Sequence, residues 1–410
     1  MIDLVVHRAK WVVPVVRPIV ENGAVMVSGN QIADVGSFEE IDATGARIYD
    51  HGEAVLMPGL VNVHTHLELS AFRELGRVRN HEGFIDWVRK LLDIRFEMEP
   101  ETIGKSYEEA LDEISSFGTV AIGDTGNDFT HFPRLKSFQG AAIYFFEVLG
   151  FAAQSLTEAL GGHEDIKRLV ESGAVDTGEK PSFQLGAHAV YSTSPQVIYQ
   201  VKKWNSQNCR RMTIHVAENR DEVEFLMTGK GSCRELLEER GQWNKSWKIP
   251  ECSPVKYLKE LGVLDEFTIC VHLVFIDEKD LSVLSECGVP VAICPRSNLF
   301  LTGKLPPVEK FIEYGLTCGI GTDSLASSSD LNLFSDMQVL INELGLDPKL
   351  VLEMSTLGGA KVLGIEDKFG SLEKGKVSSI IKIPVRADSG DELFYEVISR
   401  GMMGEVEWVN

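Results

Sequence analysis

The fold class this sequence predicts is α/β, a (β/α)8 TIM-like barrel with a small β-sandwich domain formed by both termini. Three observations carry that prediction. The middle of the chain alternates short apolar runs with longer amphipathic, charged stretches, as a barrel of strands and helices requires. Both ends are strand-rich and broken by turn signals. No GxGxxG follows any of the apolar runs, and Gly319-Ile320-Gly321 lacks its third glycine, which argues against an open doubly wound sheet.

The terminal strands come first. Trp11-Val12-Val13 and Gly23-Ala24-Val25-Met26-Val27 are apolar, and Ser28-Gly29-Asn30 is a turn signal. Strand character returns at Ser379-Ile380-Ile381-Lys382-Ile383 and Glu405-Val406-Glu407-Trp408-Val409. Residues 1–54 and 371–410 are therefore expected to build the small domain around a barrel of residues 55–370. The barrel strands are expected at 55–63, 119–122, 141–148, 183–187, 212–216, 267–271, 289–294 and 316–320. Helices are expected among them at 82–95, 106–116, 221–227 and 252–261.

Bulk properties narrow the function. The chain has 410 residues, 44% hydrophobic and 25% charged, ordinary for a globular protein with a sizeable core. A formal net charge of -21 argues against nucleic acid or an anionic membrane as the main partner. The N-terminus lacks a basic region followed by a long apolar stretch, and no segment reaches the ~18–20 apolar residues of a membrane helix. Seven cysteines, an odd number with no CxxC pair, fit a reduced, cytoplasmic setting.

The chemistry is carried by strand ends. In Val61-Asn62-Val63-His64-Thr65-His66, two histidines stand at i and i+2, so both imidazoles leave the same face of a strand. Alone, that motif is more often two polar surface residues than a metal site. The pattern recurs, however: His215 closes Met212-Thr213-Ile214, His272 closes Ile269-Cys270-Val271, and Asp323 closes Ile320-Gly321-Thr322. Inward-facing residues at the carboxyl ends of barrel strands converge on one mouth. Neutral imidazoles and one carboxylate suit Zn²⁺ or Fe²⁺. Glu218, three residues beyond His215, is placed to move a proton between water and a leaving nitrogen. Without the metal set it reads as a solvated helix-start glutamate.

These residues resemble a known family. Pro58-Gly59-Leu60-Val61-Asn62-Val63-His64-Thr65-His66, His215-Val216-Ala217-Glu218, His272 and Gly321-Thr322-Asp323-Ser324 are similar to the amidohydrolase superfamily, in its deaminase and chlorohydrolase branch. The resemblance extends to Ser355-Thr356-Leu357-Gly358-Gly359-Ala360 and to Gly370-Ser371-Leu372-Glu373-Lys374-Gly375-Lys376, and it departs at Val377-Ser378-Ser379-Ile380-Ile381. It implies a single divalent metal, zinc ahead of iron, on His64, His66, His215 and Asp323. It further implies Glu218 as proton shuttle and His272 as the group orienting water or substrate, with Asp323 catalytic as well as ligating. Two-metal relatives carry a lysine at the end of the fourth strand, and Leu185-Gly186-Ala187-His188-Ala189 has none. The other zinc deaminase scaffold needs P-C-x-x-C beside H-x-E; His66-Leu67-Glu68 supplies only the latter.

Phe145-Phe146-Glu147-Val148, the run from His188 to Ser194, Pro254 to Leu264 and Cys294-Pro295-Arg296-Ser297-Asn298 resemble the aminodeoxyfutalosine deaminases of the futalosine route to menaquinone. That implies an aminopurine nucleoside with a carboxyphenyl group, hydrolysed at its amino-bearing carbon. His188 matches a substrate-contacting histidine. Asp86 stands where S-adenosylhomocysteine deaminases place a ribose-binding glutamate, and equally reads as an acid favoured at a helix start. Arg296 is a candidate partner for the aryl carboxylate or a structural loop arginine. Glu68 and Glu147 are candidate pocket residues, and Tyr144 to Phe146 either stack on the base or fill the barrel wall. Deaminases of adenosine, S-adenosylhomocysteine or guanine, chlorohydrolases and amide hydrolases share the same metal residues. A non-catalytic barrel is disfavoured because no ligand or shuttle is missing. A homodimer is compatible with the sequence and not required by it.

Overall fold

The computed structural model describes residues 4–77, 83–172 and 181–409, with the backbone alone at Asp391. The chain gathers into two compact units, one of residues 1–63, 112–122 and 332–410, the other of 64–111 and 123–331. Every side chain of the candidate site belongs to the second.

The terminal sheet contains β1 (Leu4–Val12), β2 (Val20–Ser28), β3 (Gln31–Ser37), β4 (Arg47–Asp50) and β5 (Ala54–Pro58). The barrel strands follow: β6 (Leu60–Thr65), β7 (Thr119–Gly126), β8 (Ala141–Val148), β9 (Ser182–Ala189), β10 (Met212–Val216), β11 (Thr268–His272), β12 (Val291–Ile293) and β13 (Cys318–Ile320). β14 (Ile380–Pro384) and β15 (Glu407–Val409) return to the terminal sheet, whose order is β15-β14-β5-β1-β2-β3 with β4 against β1. Its core is Val12, Val25, Val27, Ile32, Leu56 and Ile380, the inward half of alternating strands.

The eight barrel strands run in unbroken sequence order from β6 to β13. Parallel register is direct at the site, where His215 pairs with Val271 and Val216 with His272. A backbone bridge between Thr65 and Asp323 brings the ends of the series together. The central strands are buried at every position, which is why they read as continuous apolar runs rather than alternating ones. The helices between them start on strong signals. Asn219 caps 220–228, Ser253 with Pro254 opens 254–260, and Asp277 with Asp280 forms a capping box before 278–286.

The predicted barrel architecture with its separate terminal sheet is what the structure has, and two details differ. The expected strand 55–63 is two strands, β5 and β6, parted at Gly59. A Cβ there would meet the Val120 side chain at 2.8 Å, so the chain crosses from one sheet to the other where no side chain fits. The carboxyl-terminal segment also holds a helix, Gly390–Met402, capped by Ser389, between β14 and β15, which pair with each other. The expected helix 82–95 is found at Phe84–Glu97; Glu82 lies outside the described residues. Among the described residues no helix is long and apolar enough to cross a membrane, and all seven cysteines are free.

Candidate active site

Strand ends deliver the predicted side chains to one place. His64 sits within β6 and His66 just beyond it, His215 in β10, His272 at the end of β11, and Asp323 after β13. Nε2 of His215 lies 3.2 Å from Nε2 of His64 and 3.4 Å from Nε2 of His66. Oδ1 of Asp323 is 3.8 Å from Nε2 of His66. Close approach is forced at Gly321, where a Cβ would stand 2.6 Å from the carbonyl oxygen of His64. Asp323 is then tied to the first strand, its N–H donating to the His64 carbonyl at 3.1 Å while Thr65 Oγ1 donates to its own carbonyl at 3.0 Å.

The ring tautomers are set from behind. Nδ1–H of His215 donates to the His188 carbonyl at 2.7 Å, leaving a lone pair on Nε2. His66 donates its other ring N–H to the Thr125 carbonyl. Burial lowers the pKa of His64 well below the ordinary histidine value and brings His66 and His215 to about 4, so all three rings are neutral at pH 7. The lone pairs on Nε2 of His66 and His215 face each other at 3.4 Å, with Nε2 of His64 3.2 Å from that of His215, a convergence of ring nitrogens that a cation among them would relieve. Tetrahedral ligation at Zn–N ~2.0–2.1 Å puts ligand nitrogens ~3.3 Å apart, matching this spacing. The donor set fits one divalent metal. The end of the fourth barrel strand carries His188, so no bridging lysine stands there.

A second cluster faces the first. Glu218, His272 and Asp323 bring ligand-type atoms within 4.8 Å of one another, with Glu218 Oε1 3.4 Å from Nε2 of His272. Burial, reinforced by Asp323, Glu222 and Glu147, raises the Glu218 pKa well above that of an ordinary glutamate. Such a carboxyl takes and returns a proton near neutral pH more readily than an exposed one. Burial also raises the Asp323 pKa, against hydrogen bonds from Ser297 and Ser324 that favour its charged form. Asn298 donates to Nδ1 of His272 at 3.0 Å.

The backbone is unusual here. Ala217, His272, Leu273 and Asp323 all adopt positive φ, from 50° to 77°, a region costly for residues with a Cβ. Glu222 holds one of these turns: its two oxygens accept from the N–H groups of Ala217 at 2.9 Å and Glu218 at 3.1 Å.

A cavity of about 670 Å³ opens over both clusters. His66, Glu68, Glu147, His188, His215, Glu218, His272 and Asp323 line its polar part. One face of helix 84–97, with Phe84, Trp87, Val88 and Leu91, forms an apolar wall together with Leu236 and Leu237. Glu147 is buried and its Oε1 has no hydrogen-bond partner; it lies 3.4 Å from Nδ1 of His215, whose proton is already given to His188. Burial pushes the Glu147 pKa up to about 8, which makes it a donor or acceptor aimed into the cavity. Glu68 pairs with Arg95 at 2.9 Å and accepts from the N–H groups of Asn127 and Asp128.

Two expected contacts lie elsewhere. Arg296 gives its guanidinium to the Asp330 carboxylate at 2.7 Å and to the Asp330 carbonyl at 2.8 Å, outside the cavity lining. Asp86 is exposed in the first turn of helix 84–97 and paired with Arg89 at 2.6 Å, the helix-start role. Tyr144 to Phe146 are wholly buried and absent from the lining, so they fill the barrel wall. Sequence reasoning missed Asn298, Ser297, Glu222 and Arg95. The local signals among them are Asn219-x-x-Glu222, a helix-start pattern, and the segment Cys294-Pro295-Arg296-Ser297-Asn298, in which Arg296 alone is singled out.

The geometry has close counterparts. A 5-methylthioadenosine/S-adenosylhomocysteine deaminase of Thermodesulfovibrio yellowstonii is 27% identical over 388 residues, covering 90% of this chain and 82% of its own. The protein of the same name from Desulforudis audaxviator is 29% identical over 375 residues, covering 88% and 79%. Among solved structures, an adenosine deaminase from Xanthomonas campestris with bound zinc superposes with a TM-score of 0.80 at 24% identity, covering 99% of this chain and 90% of that one. The Helicobacter pylori aminofutalosine deaminase in complex with methylthio-coformycin gives 0.82 at 20% identity, covering 98% and 100%. These likenesses support the fold. The amidohydrolase family pattern itself matches residues 55–401, from β5 to the last helix, and so includes every strand end described above. By that match, this chain belongs to the amidohydrolase family.

Proposed function

We propose that the protein is a metal-dependent hydrolytic deaminase of an aminopurine nucleoside. The observation that carries this reading is the pair of facing clusters under one cavity, three neutral imidazoles beside a carboxylate and Glu218 against His272. His64, His66, His215 and Asp323 are the residues to hold one divalent metal, zinc ahead of iron. A metal held there supplies water that is nucleophilic at neutral pH.

The chain's residues do the rest. Oxygen adds to the amino-bearing ring carbon, and Glu218 takes the water proton and passes it to the adjacent ring nitrogen. The proton of the added hydroxyl then passes through Glu218 to the amino group, the C–N bond breaks and ammonia leaves, with the ring as its oxo form. Nε2–H of His272 directs the attacking oxygen or steadies the ring. His188 and Glu147, both in the lining, are the groups for the remaining nucleoside hydroxyls or ring nitrogen.

The finer reading is 6-amino-6-deoxyfutalosine as substrate, giving futalosine and ammonia in menaquinone biosynthesis. A cavity of this size, with an apolar wall opposite the polar floor, supports a nucleoside carrying an aryl group. The aryl carboxylate then needs a cation other than Arg296. Arg95 and Arg240 line the cavity; Nη2 of Arg95 meets Glu68 and Asn127, and Nη2 of Arg240 lies 3.7 Å from the Asp93 carboxylate. A second reading, 5-methylthioadenosine or S-adenosylhomocysteine as substrate, is favoured by the names of the relatives above. Ammonia release across aminopurine nucleosides, with metal analysis, decides. Highest kcat/KM on the carboxyphenyl nucleoside supports the finer reading, and preference for a thioether nucleoside replaces it. Bound metal with no turnover on any aminopurine ends the deaminase reading.

A further inference from the structure

Asp124 is a buried carboxyl, 1% exposed, near the end of β7, the strand beside β6. It does not line the cavity. Both of its oxygens are committed: Oδ1 accepts the N–H of Leu67 at 3.0 Å, and Oδ2 accepts the hydroxyl of Tyr107 at 2.5 Å. Leu67 directly follows His66 and opens the short 3-10 turn Leu67–Phe72. The first N–H groups of such a turn need acceptors, which the residue at its start usually supplies. His66 occupies that position and makes no side-chain cap, its ring being turned to the other histidines. Asp124 supplies the missing acceptor from the next strand.

The neighbouring residue acts on the same motif. Thr125 accepts the His66 ring N–H at its carbonyl, and its Oγ1 lies 3.4 Å from Nδ1 of His64. Tyr107 is itself fully buried and stacked on His131 at 5.1 Å, so its hydroxyl is held in place. A carboxyl is a costly way to fill this space: burial, with Glu68 nearby, pushes its pKa up to about 8 even though Tyr107 and the Leu67 N–H both favour its charged form. An apolar side chain would pack there without that cost but would leave the Leu67 N–H unpaired.

We propose that Asp124, steadied by Tyr107, is a positioning residue that fixes the backbone turn behind His66 and thereby sets the affinity of the site for its metal. This inference rests on the metal reading above. It makes Asp124 responsible for how tightly the metal is held and leaves substrate binding to the cavity.

The test compares Asp124→Leu, Asp124→Asn and Tyr107→Phe with the parent protein. Zinc affinity is measured by chelator competition, melting temperature on the metal-free protein, and kcat and KM at saturating zinc. Asp124→Leu is expected to weaken zinc binding ~10–100-fold with KM unchanged once zinc is saturating. Asp124→Asn, which keeps an acceptor for Leu67, should bind zinc within ~3-fold of the parent. A lower melting temperature in Asp124→Leu with parental zinc affinity overturns the proposal. If Asp124→Leu is insoluble, Tyr107→Phe decides: weaker zinc binding supports the proposal and parental affinity overturns it. A parent protein that binds no zinc or other divalent metal overturns the metal reading, and this inference with it.

Discussion

Asn298 donates its side-chain N–H to Nδ1 of His272 at 3.0 Å, so the ring proton is left on Nε2, 3.4 Å from Oε1 of Glu218. One amide thus decides which His272 nitrogen faces the reacting groups. Asn298→Asp replaces the donor by an acceptor and draws the ring proton to Nδ1. We expect kcat to fall ~100-fold with metal content unchanged. Metal analysis beside steady-state kinetics checks this, and an unaltered kcat would remove His272 tautomer control from the mechanism.

Glu218→Gln keeps the shape of the side chain and removes its proton traffic. Turnover should drop by ~10²–10⁴-fold while metal stoichiometry and fold persist. Ammonia release and metal analysis of the same preparation read this directly. Retained turnover would mean that another group carries the proton.

The position of Arg296 predicts selectivity. Arg296→Met should leave KM for any nucleoside substrate near the parent value, because its guanidinium is held by Asp330. Arg95→Met should raise KM for a carboxylate-bearing nucleoside by ~10–100-fold and change it little for a neutral one. Equal effects on both substrates would assign Arg95 to structure through Glu68.

Glu222 predicts a pH dependence. Burial raises its pKa from 4.5 in the unfolded chain to about 8 in the fold, despite two backbone N–H donors. Below 4.5 both states hold the proton. Between 4.5 and about 8 the unfolded chain ionises first, so stability from the protonated group is lost as pH rises. Glu222→Gln removes that titration. The advantage of the parent over this variant should shrink by about 2–5 °C in melting temperature from pH 5 to pH 8. A constant difference across that range would contradict it.

Gly321→Ala should be severe for a small change. Its Cβ would lie 2.6 Å from the His64 carbonyl oxygen, so β6 and the chain after β13 must separate. A stability loss of about 2–4 kcal/mol with weakened metal binding is the expected result, read by denaturant unfolding and chelator competition.

The site was legible where chemistry and strand ends coincide. His64, His66, His215, His272 and Asp323 each close an apolar run, and a barrel converts that local position into a common location. Asp124 and Asn298 act on a backbone N–H and a ring nitrogen of other segments, which nothing in their own neighbourhoods announces. Glu222, though it stands in a helix-start pattern, turns its oxygens back on the N–H groups of the preceding turn. Arg296 and Asp86 show the converse. Each stands in a segment that resembles a family's binding residues, yet its charge is satisfied by a nearby partner, Asp330 or Arg89. The helix 390–402 carries its own signal in Ser389 and Glu392, a capping signature set between two strand-like runs.

The left-handed backbone at Ala217, His272 and Asp323 costs about 1–3 kcal/mol at each position. Glycine or asparagine relieves that cost at any of them. A laboratory selection for heat tolerance alone would therefore drift toward replacing His272 and Asp323, two residues of the proposed active site. Breeding a hardier variant of this protein calls for screening activity in every round.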